Sequence, residues 1–262
     1  AVVFYYFSPM ISMVLIGSGN VAQHLITAFS KSTAVALLQV VARNPDAIQS
    51  MVALDKICTD YQQIKEADVY IIAVSDNAIA AVSSHLPFEN RLVVHTSGSM
   101  GLDVLDAKNR RGVFYPLQTF TKNKAVNFAE IPLCLESENV SDYAKLEQLA
   151  QAISSVYQPI SSEQRKALHV AAVFVCNFVN HLYQIGATIC EENQLSFELL
   201  KPLIVETAHK IQTLAPAAAQ TGPAKRNDTI TINNHLAFLT DDTQKELYQL
   251  LTKSIIDHGK KL

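Results

Sequence analysis

Among 262 residues only four are cysteine, Cys58, Cys134, Cys176 and Cys190, and they stand apart, with neither a CxxC pair nor a His/Cys cluster at metal-ligand spacing. No metal site is expected from such a pattern, and the thiols read as reduced and mostly buried, as in a cytoplasmic protein. An excess of positive charge is also missing. The 21 Lys and Arg residues face 24 Asp and Glu, a net charge of -3, so the composition does not point to nucleic acid. Internal repeats and low-complexity tracts are absent, which argues against solenoids and long disordered linkers.

Two apolar stretches invite a membrane reading and resist it. Residues 1–7 lack a basic leader and are followed by Pro9, so they do not read as an export signal; with Met10 and Met13 as alternative starts, they read as an upstream extension or an added edge strand. Residues 167–190 carry His169, Asn177, Asn180, His181 and Gln184, too polar for a comfortable span, and read as a buried helix.

What the chain does have begins at Gly17-Ser18-Gly19-Asn20-Val21-Ala22, directly behind the apolar run 13–16 and ahead of a helical pattern over 20–30. Gly17 permits a tight turn, Gly19 has no side chain to hold a pyrophosphate away, and Ala22 lets helix and strand pack closely. The backbone N–H groups and the positive helix end then face phosphates, which assigns Gly17, Ser18, Gly19, Asn20 and Val21 to a dinucleotide.

The next β-branched run, 35–42, ends in Arg43-Asn44. An NAD site places an Asp or Glu here to accept from the ribose hydroxyls, and this chain has neither at that place. The Arg43 guanidinium suits a 2′-phosphate, with Asn44 as a second donor, so NADP is the expected cofactor; a solvated strand-end arginine is the plainer alternative.

Further strands are expected at 68–74, 91–96 and 113–115, in alternation with helices. Ligands in such sheets bind beyond the carboxyl ends of the strands. That brings three loops to one crevice: Val74-Ser75-Asp76 on the cofactor, with 75–77 capping the next helix; Ser97-Gly98-Ser99 on a substrate carboxylate; and Gln118-Thr119 on nicotinamide or substrate. The last two also read as an ordinary turn and a rigid loop end.

After residue 160 the period becomes helical. Ser161 and Gln164 form a capping-box pattern opening a helix of more than 20 residues, and further helices are expected at 197–214 and 233–258. On the long helix a spacing of four aligns His169, Asn177 and His181. His169, nearest the helix start, is the candidate proton donor, with Asn177 and Ser97 orienting the reacting group. Histidines hydrogen-bonded to a second subunit are the bland alternative. A helix this apolar needs neighbours on every side, so a homodimer through the helical half is expected.

The loop order resembles the superfamily of pyrroline-5-carboxylate reductase, 6-phosphogluconate dehydrogenase and the β-hydroxyacid dehydrogenases. Tyr115-Pro116-Leu117-Gln118-Thr119-Phe120, the block from His169 to Phe178, and Thr221-Gly222-Pro223-Ala224-Lys225-Arg226-Asn227-Asp228 are similar to signature blocks of a bacterial family. That family joins a Rossmann-like domain to a helical C-terminal domain of unknown function, and its members are commonly labelled NADP oxidoreductases. The resemblance covers nearly all of the chain after residue 12. Within it Lys225 and Arg226 are candidates to clamp an anionic substrate, an exposed solvated pair being the alternative. One departure stands out: where the hydroxyacid dehydrogenases carry an acid/base lysine four residues before the helix asparagine, this chain has Val173. Valine transfers no proton, which disfavours alcohol oxidation by that route and leaves reduction of a C=N or activated C=O.

The expected architecture is therefore an α/β Rossmann domain, a mostly parallel doubly wound sheet over 13–160, followed by an all-α domain over 161–262 for dimerisation and substrate. The expected activity is NADP(H)-dependent reduction of a small carbonyl or imine. A non-catalytic NADP-binding sensor or scaffold and a deazaflavin-linked NADP oxidoreductase are the competing readings.

Overall fold

Among the described residues eight strands form one sheet: β1 (Ile11–Ile16), β2 (Val35–Val41), β3 (Ile57–Cys58), β4 (Val69–Ile72), β5 (Leu92–His95), β6 (Arg110–Pro116), β7 (Leu133–Ser137) and β8 (Tyr157–Pro159). The order is β3-β2-β1-β4-β5-β6-β7-β8, parallel throughout except where β7 runs against β6. The chain returns past β1 to place β4, so the strand order reverses between β1 and β4, the point at which such sheets open a ligand crevice. The structure, a computed structural model, describes residues 10–259; the apolar opening 1–7 lies outside them.

Both faces of the sheet are buried, which is why its strands are continuous apolar runs. Met13 and Leu15 face one layer with Leu25 and Phe29 of α1 (Asn20–Phe29) and Leu146 and Leu149 of α3 (Val140–Gln151). Val14 and Ile16 face the other with Ile79 of α2 (Ile79–Ser84) and Leu86. Ala22 is fully buried under the glycine turn, as close helix–strand packing demands.

The capping box is formed: Ser161 Oγ accepts from Gln164 N at 3.2 Å and Gln164 Oε1 accepts from Ser161 N at 3.0 Å. It opens α4 (Ser162–Ala172), which runs through a π-helical segment, Val173–Phe178, into α5 (Val179–Glu192). The expected continuous α-helix is thus interrupted, and with it the spacing of four that would align His169 with Asn177 and His181, since a π turn takes more residues than an α turn.

The chain divides into two compact units, the first ending at Cys176 and the second starting at Asn177. The opening of the long helix therefore belongs with the sheet, because Arg165 and Leu168 pack there, whereas the sequence places the division at 160. The helix read as buried is open: 162–192 is long and apolar enough to cross a membrane by length and composition, and no residue of its most apolar stretch is fully buried.

The second unit continues with α6 (Lys201–Thr213), α7 (Pro216–Ala219), α8 (Pro223–Arg226), α9 (Thr229–Phe238) and α10 (Asp242–Gly259). The single helix expected over 233–258 is broken at Leu239, whose extended backbone ends α9, and Asp241 Oδ1 then caps the next helix by accepting from Gln244 N at 2.8 Å. The 221–228 block is a corner between helices. Gly222 takes a φ of 101° and Asn227 one of 53°, and Asp228 Oδ1 accepts from Thr231 N at 3.1 Å to start α9.

Candidate active site

The phosphate-binding turn is tested by what its glycines touch. Gly17 has a φ of 134°, and a Cβ there would meet the carbonyl oxygen of Ala73 at 2.1 Å, so no other residue fits between the ends of β1 and β4. A Cβ at Gly19 would meet nothing within 4 Å: that side is open. No side chain caps α1 and no acid occupies its first turn, so the N–H groups at its start retain their positive field. The residues present therefore fit a dinucleotide pyrophosphate. Asn20 Nδ2 donates to Phe120 O at 3.2 Å, tying this turn to the loop after β6.

Arg43 is exposed at the end of β2, free of any competing burial. Asn44 Oδ1 accepts from Asp46 N at 3.1 Å, which holds the turn while leaving the amide nitrogen as the donor. The capping expected from 75–77 takes another form: Ser75 Oγ donates to Asn77 Oδ1 at 2.7 Å, and neither caps the helix backbone.

Beyond β4 and β5 two of the three loops meet. Ser99 Oγ donates to Asp76 Oδ2 at 2.5 Å, joining the first to the second. Gly98 lies against the end of β6 and α4: a Cβ there would stand 2.5 Å from His169 Nδ1 and 2.7 Å from Tyr115 Cζ. Tyr115 Oη and His169 Nδ1 are 3.2 Å apart. Burial pushes the Tyr115 phenol up to about 12, so it keeps its proton near neutrality. The sequence reading missed Tyr115 as a site residue, although it opens one of the signature blocks.

Under this crevice lies a polar network that no motif announced. Burial pushes His95 down to about 4, so the ring is neutral, accepting from Ser97 N at 3.1 Å and donating from Nε2 to Gly101 O at 3.2 Å. Ser97 Oγ accepts from Ser99 N and Met100 N at 3.2 and 3.1 Å. Arg165, fully buried in α4, pairs with Glu136 of β7 and donates to Met100 O. The loop 97–101 is thereby held from below.

Gln118 turns its Oε1 onto Thr119 N at 2.8 Å, and both residues are exposed at a rigid loop end. Asn177, Lys225 and Arg226 are exposed residues of the second unit, and the crevice just described is made without them. A separate groove of about 720 Å³ runs along α1 between Lys31, Asp46, Lys122 and Lys124 and shares no residue with the crevice.

Residues 12–98 match the family described as NADP oxidoreductase, coenzyme F420-dependent, and residues 131–255 match a domain of unknown function, DUF2520. Among solved structures, one described as a "putative NADP oxidoreductase" from Bacteroides fragilis is 39% identical, with 94% of this chain and 98% of that one covered at a TM-score of 0.85. A reductive aminase from Aspergillus terreus, solved with NADPH and ethyl levulinate, shares the fold at 13% identity, a TM-score of 0.72 and coverage of 95% and 94%. Pyrroline-5-carboxylate reductase from Streptococcus pyogenes does so at 14% identity, a TM-score of 0.62 and coverage of 96% and 99%. No curated protein matches the chain.

Proposed function

Because the chain belongs to the family of the Bacteroides fragilis NADP oxidoreductase-like protein, with its DUF2520 C-terminal region, we propose that it reduces a small carbonyl or imine compound with NADPH. The observation that carries this reading is the Tyr115–His169 pair, where the end of β6 meets α4. The turn 17–21 holds the pyrophosphate, Arg43 and Asn44 hold the 2′-phosphate, and Val74 and Ser75 border the nicotinamide half. NADPH, when bound, supplies the hydride. As His169 gives its Nε2 proton to the nitrogen or oxygen that takes up the electron pair, Tyr115 passes its phenol proton to Nδ1, so that the ring stays neutral and water reprotonates the phenolate. Ser97 and its neighbours shape the floor.

Two further parts of the reading concern setting. Val170, Val175, Leu182, Leu199 and Leu203 are exposed, and a second copy of the chain is the occupant proposed for them. Four unpaired cysteines fit a reducing, cytoplasmic compartment.

The test is a panel of cyclic imines, aldehydes, oxo acids and a deazaflavin, each mixed with NADPH and followed by absorbance. Turnover of a carbonyl or imine, reduced about a hundredfold or more by His169→Gln, is the expected result. NADPH binding without oxidation across the panel overturns the reductase in favour of a sensor, which Val173 makes the second reading. Turnover of the deazaflavin alone assigns the third.

A further inference from the structure

Helix α1 starts at the glycine turn, and along its length runs the groove of about 720 Å³. The wall facing α1 is the segment 122–129 after β6, and it is held at both ends. Lys124 N donates to Thr121 O at 3.2 Å, closing a turn whose corner, Asn123, takes a φ of 63°. At the other end Ala129 O accepts from Ser155 N at 3.0 Å and from Ser155 Oγ at 2.7 Å. Phe128 stacks on Phe120 with ring centres 5.9 Å apart, and Phe120 lies 4.8 Å from the His24 ring of α1. His24 Nε2 donates to Thr121 O at 3.2 Å, which ties the helix to the segment.

The floor of the groove is apolar. Ala28, Met51, Phe128 and Ala152 are half-buried: they pack on the core and line the groove with what remains exposed. The rim is cationic. Lys31, Lys122 and Lys124 line it, and among the described residues none of their ammonium groups has a carboxylate partner. One carboxylate lines the groove with them, that of Asp46, which accepts from Gln49 Nε2 at 3.2 Å. Glu130, further along the segment, does not line the groove, and its Oε1 accepts from Asn127 Nδ2 at 2.7 Å. Counting both acids, positive charge prevails.

A bare inorganic anion would leave the floor in water, and a neutral apolar molecule would leave the lysines without a counter-charge. The volume suits a compound that satisfies both. Lysine offers a compact charge with three donors, a form in which phosphate is commonly held. We infer that this groove binds an organic phosphate, its head among the three lysines and its apolar or aromatic body over Met51 and Phe128. The groove shares no residue with the turn 17–21 or with the crevice, and the inference stands independently of the proposed reductase reading.

The experiment is calorimetry on the full chain saturated with NADPH, so that the cofactor turn is filled, titrated separately with naphthyl phosphate, inorganic phosphate and naphthol. Naphthyl phosphate should bind roughly tenfold or more tighter than either of the other two. The double variant Lys122→Ala with Lys124→Ala should weaken it by roughly tenfold or more, with NADPH affinity within about threefold and the melting temperature unchanged. Naphthyl phosphate binding no tighter than inorganic phosphate overturns the inference, and so does binding that survives the double variant. A titration that succeeds only without NADPH also overturns it, by placing the ligand at the cofactor turn. Phosphate heads some lipids as well: sedimentation of the chain with phosphatidic acid vesicles, lost in the double variant, overturns a soluble ligand in favour of a membrane headgroup.

Discussion

Tyr115 Oη stands 3.2 Å from His169 Nδ1, and Gly98 is the only kind of residue that fits against them, since a Cβ there would come within 2.9 Å of Tyr115 Oη and 2.5 Å of His169 Nδ1. A strand end, a helix and a glycine loop meet at this one contact.

Gly98→Ala should therefore separate the pair without touching the phosphate turn. Steady-state kinetics on any substrate from the panel should show kcat down at least tenfold. NADPH affinity by calorimetry should stay within about threefold. Tyr115→Phe removes the donor to Nδ1 and should lower kcat in the same direction, less than His169→Gln, because the imidazole remains. A Gly98→Ala enzyme with unchanged kcat would detach the pair from the chemistry.

Arg43→Ala should erase most of the preference for NADPH over NADH. A charge-assisted contact of about 1.5 to 3 kcal/mol corresponds to roughly ten- to a hundredfold in affinity. Calorimetry with both cofactors on both proteins decides it, and equal affinities in the unmutated chain would remove the arginine from the argument.

His95 should impose a pH dependence on stability. Its ordinary value is 6.5 and burial lowers it to about 4, so between these the unfolded chain binds the proton that the folded one refuses. Stability is then complete above 6.5 and falls as the pH drops toward 4, by about 3 kcal/mol over the whole window. Urea melts at successive pH values should show this slope in the unmutated protein and a shallower one in His95→Gln. Identical slopes would mean that the buried carboxylate pairs carry the whole acid limb.

Arg165→Met should destabilise the first unit by about 3 to 5 kcal/mol, because Glu136 would lose its buried counter-charge. The double variant Arg165→Met with Glu136→Leu should recover much of that loss. Denaturant midpoints measure both, and a double variant no better than the single would show that Met100 and Ser162 depend on the guanidinium itself.

Light scattering at micromolar concentration should give twice the mass of one chain. Val175, Leu199 and Leu203, each more than 60% exposed in the single chain, are the residues whose change to Glu should split the dimer. A stable monomer of the full chain would leave the apolar face without this partner.

Much of the site could be read from local pattern because its parts are local devices. The turn 17–22 announces itself because glycine geometry, strand and helix lie within a few residues of one another, and Ser161 with Gln164 does the same for the helix start. Arg43 was legible as a difference from a rule about strand ends. By contrast, the π-helical segment has no composition signal: Val173 and Phe174 suit an α-helix as well. Helix α9 was missed as a separate element because the apolar period continues across Leu239, while Asp241 gives only a single-residue cap.

The amino-acid order by itself determined the glycine turn, the strand order's beginnings and the helical second half, since each depends on neighbours in the chain. Tertiary structure alone decided that Tyr115 meets His169, that Arg165 and His95 support a loop, and that Ser99 meets Asp76. Those partners are 54, 29, 6 and 23 residues apart in the chain, for Tyr115–His169, Arg165–Glu136, His95–Gly101 and Ser99–Asp76 respectively. A hydrogen-bond donor has no preference written in its own sequence for which acceptor will reach it. The sheet makes that choice, by stacking strand ends side by side and leaving buried polar groups no water to turn to.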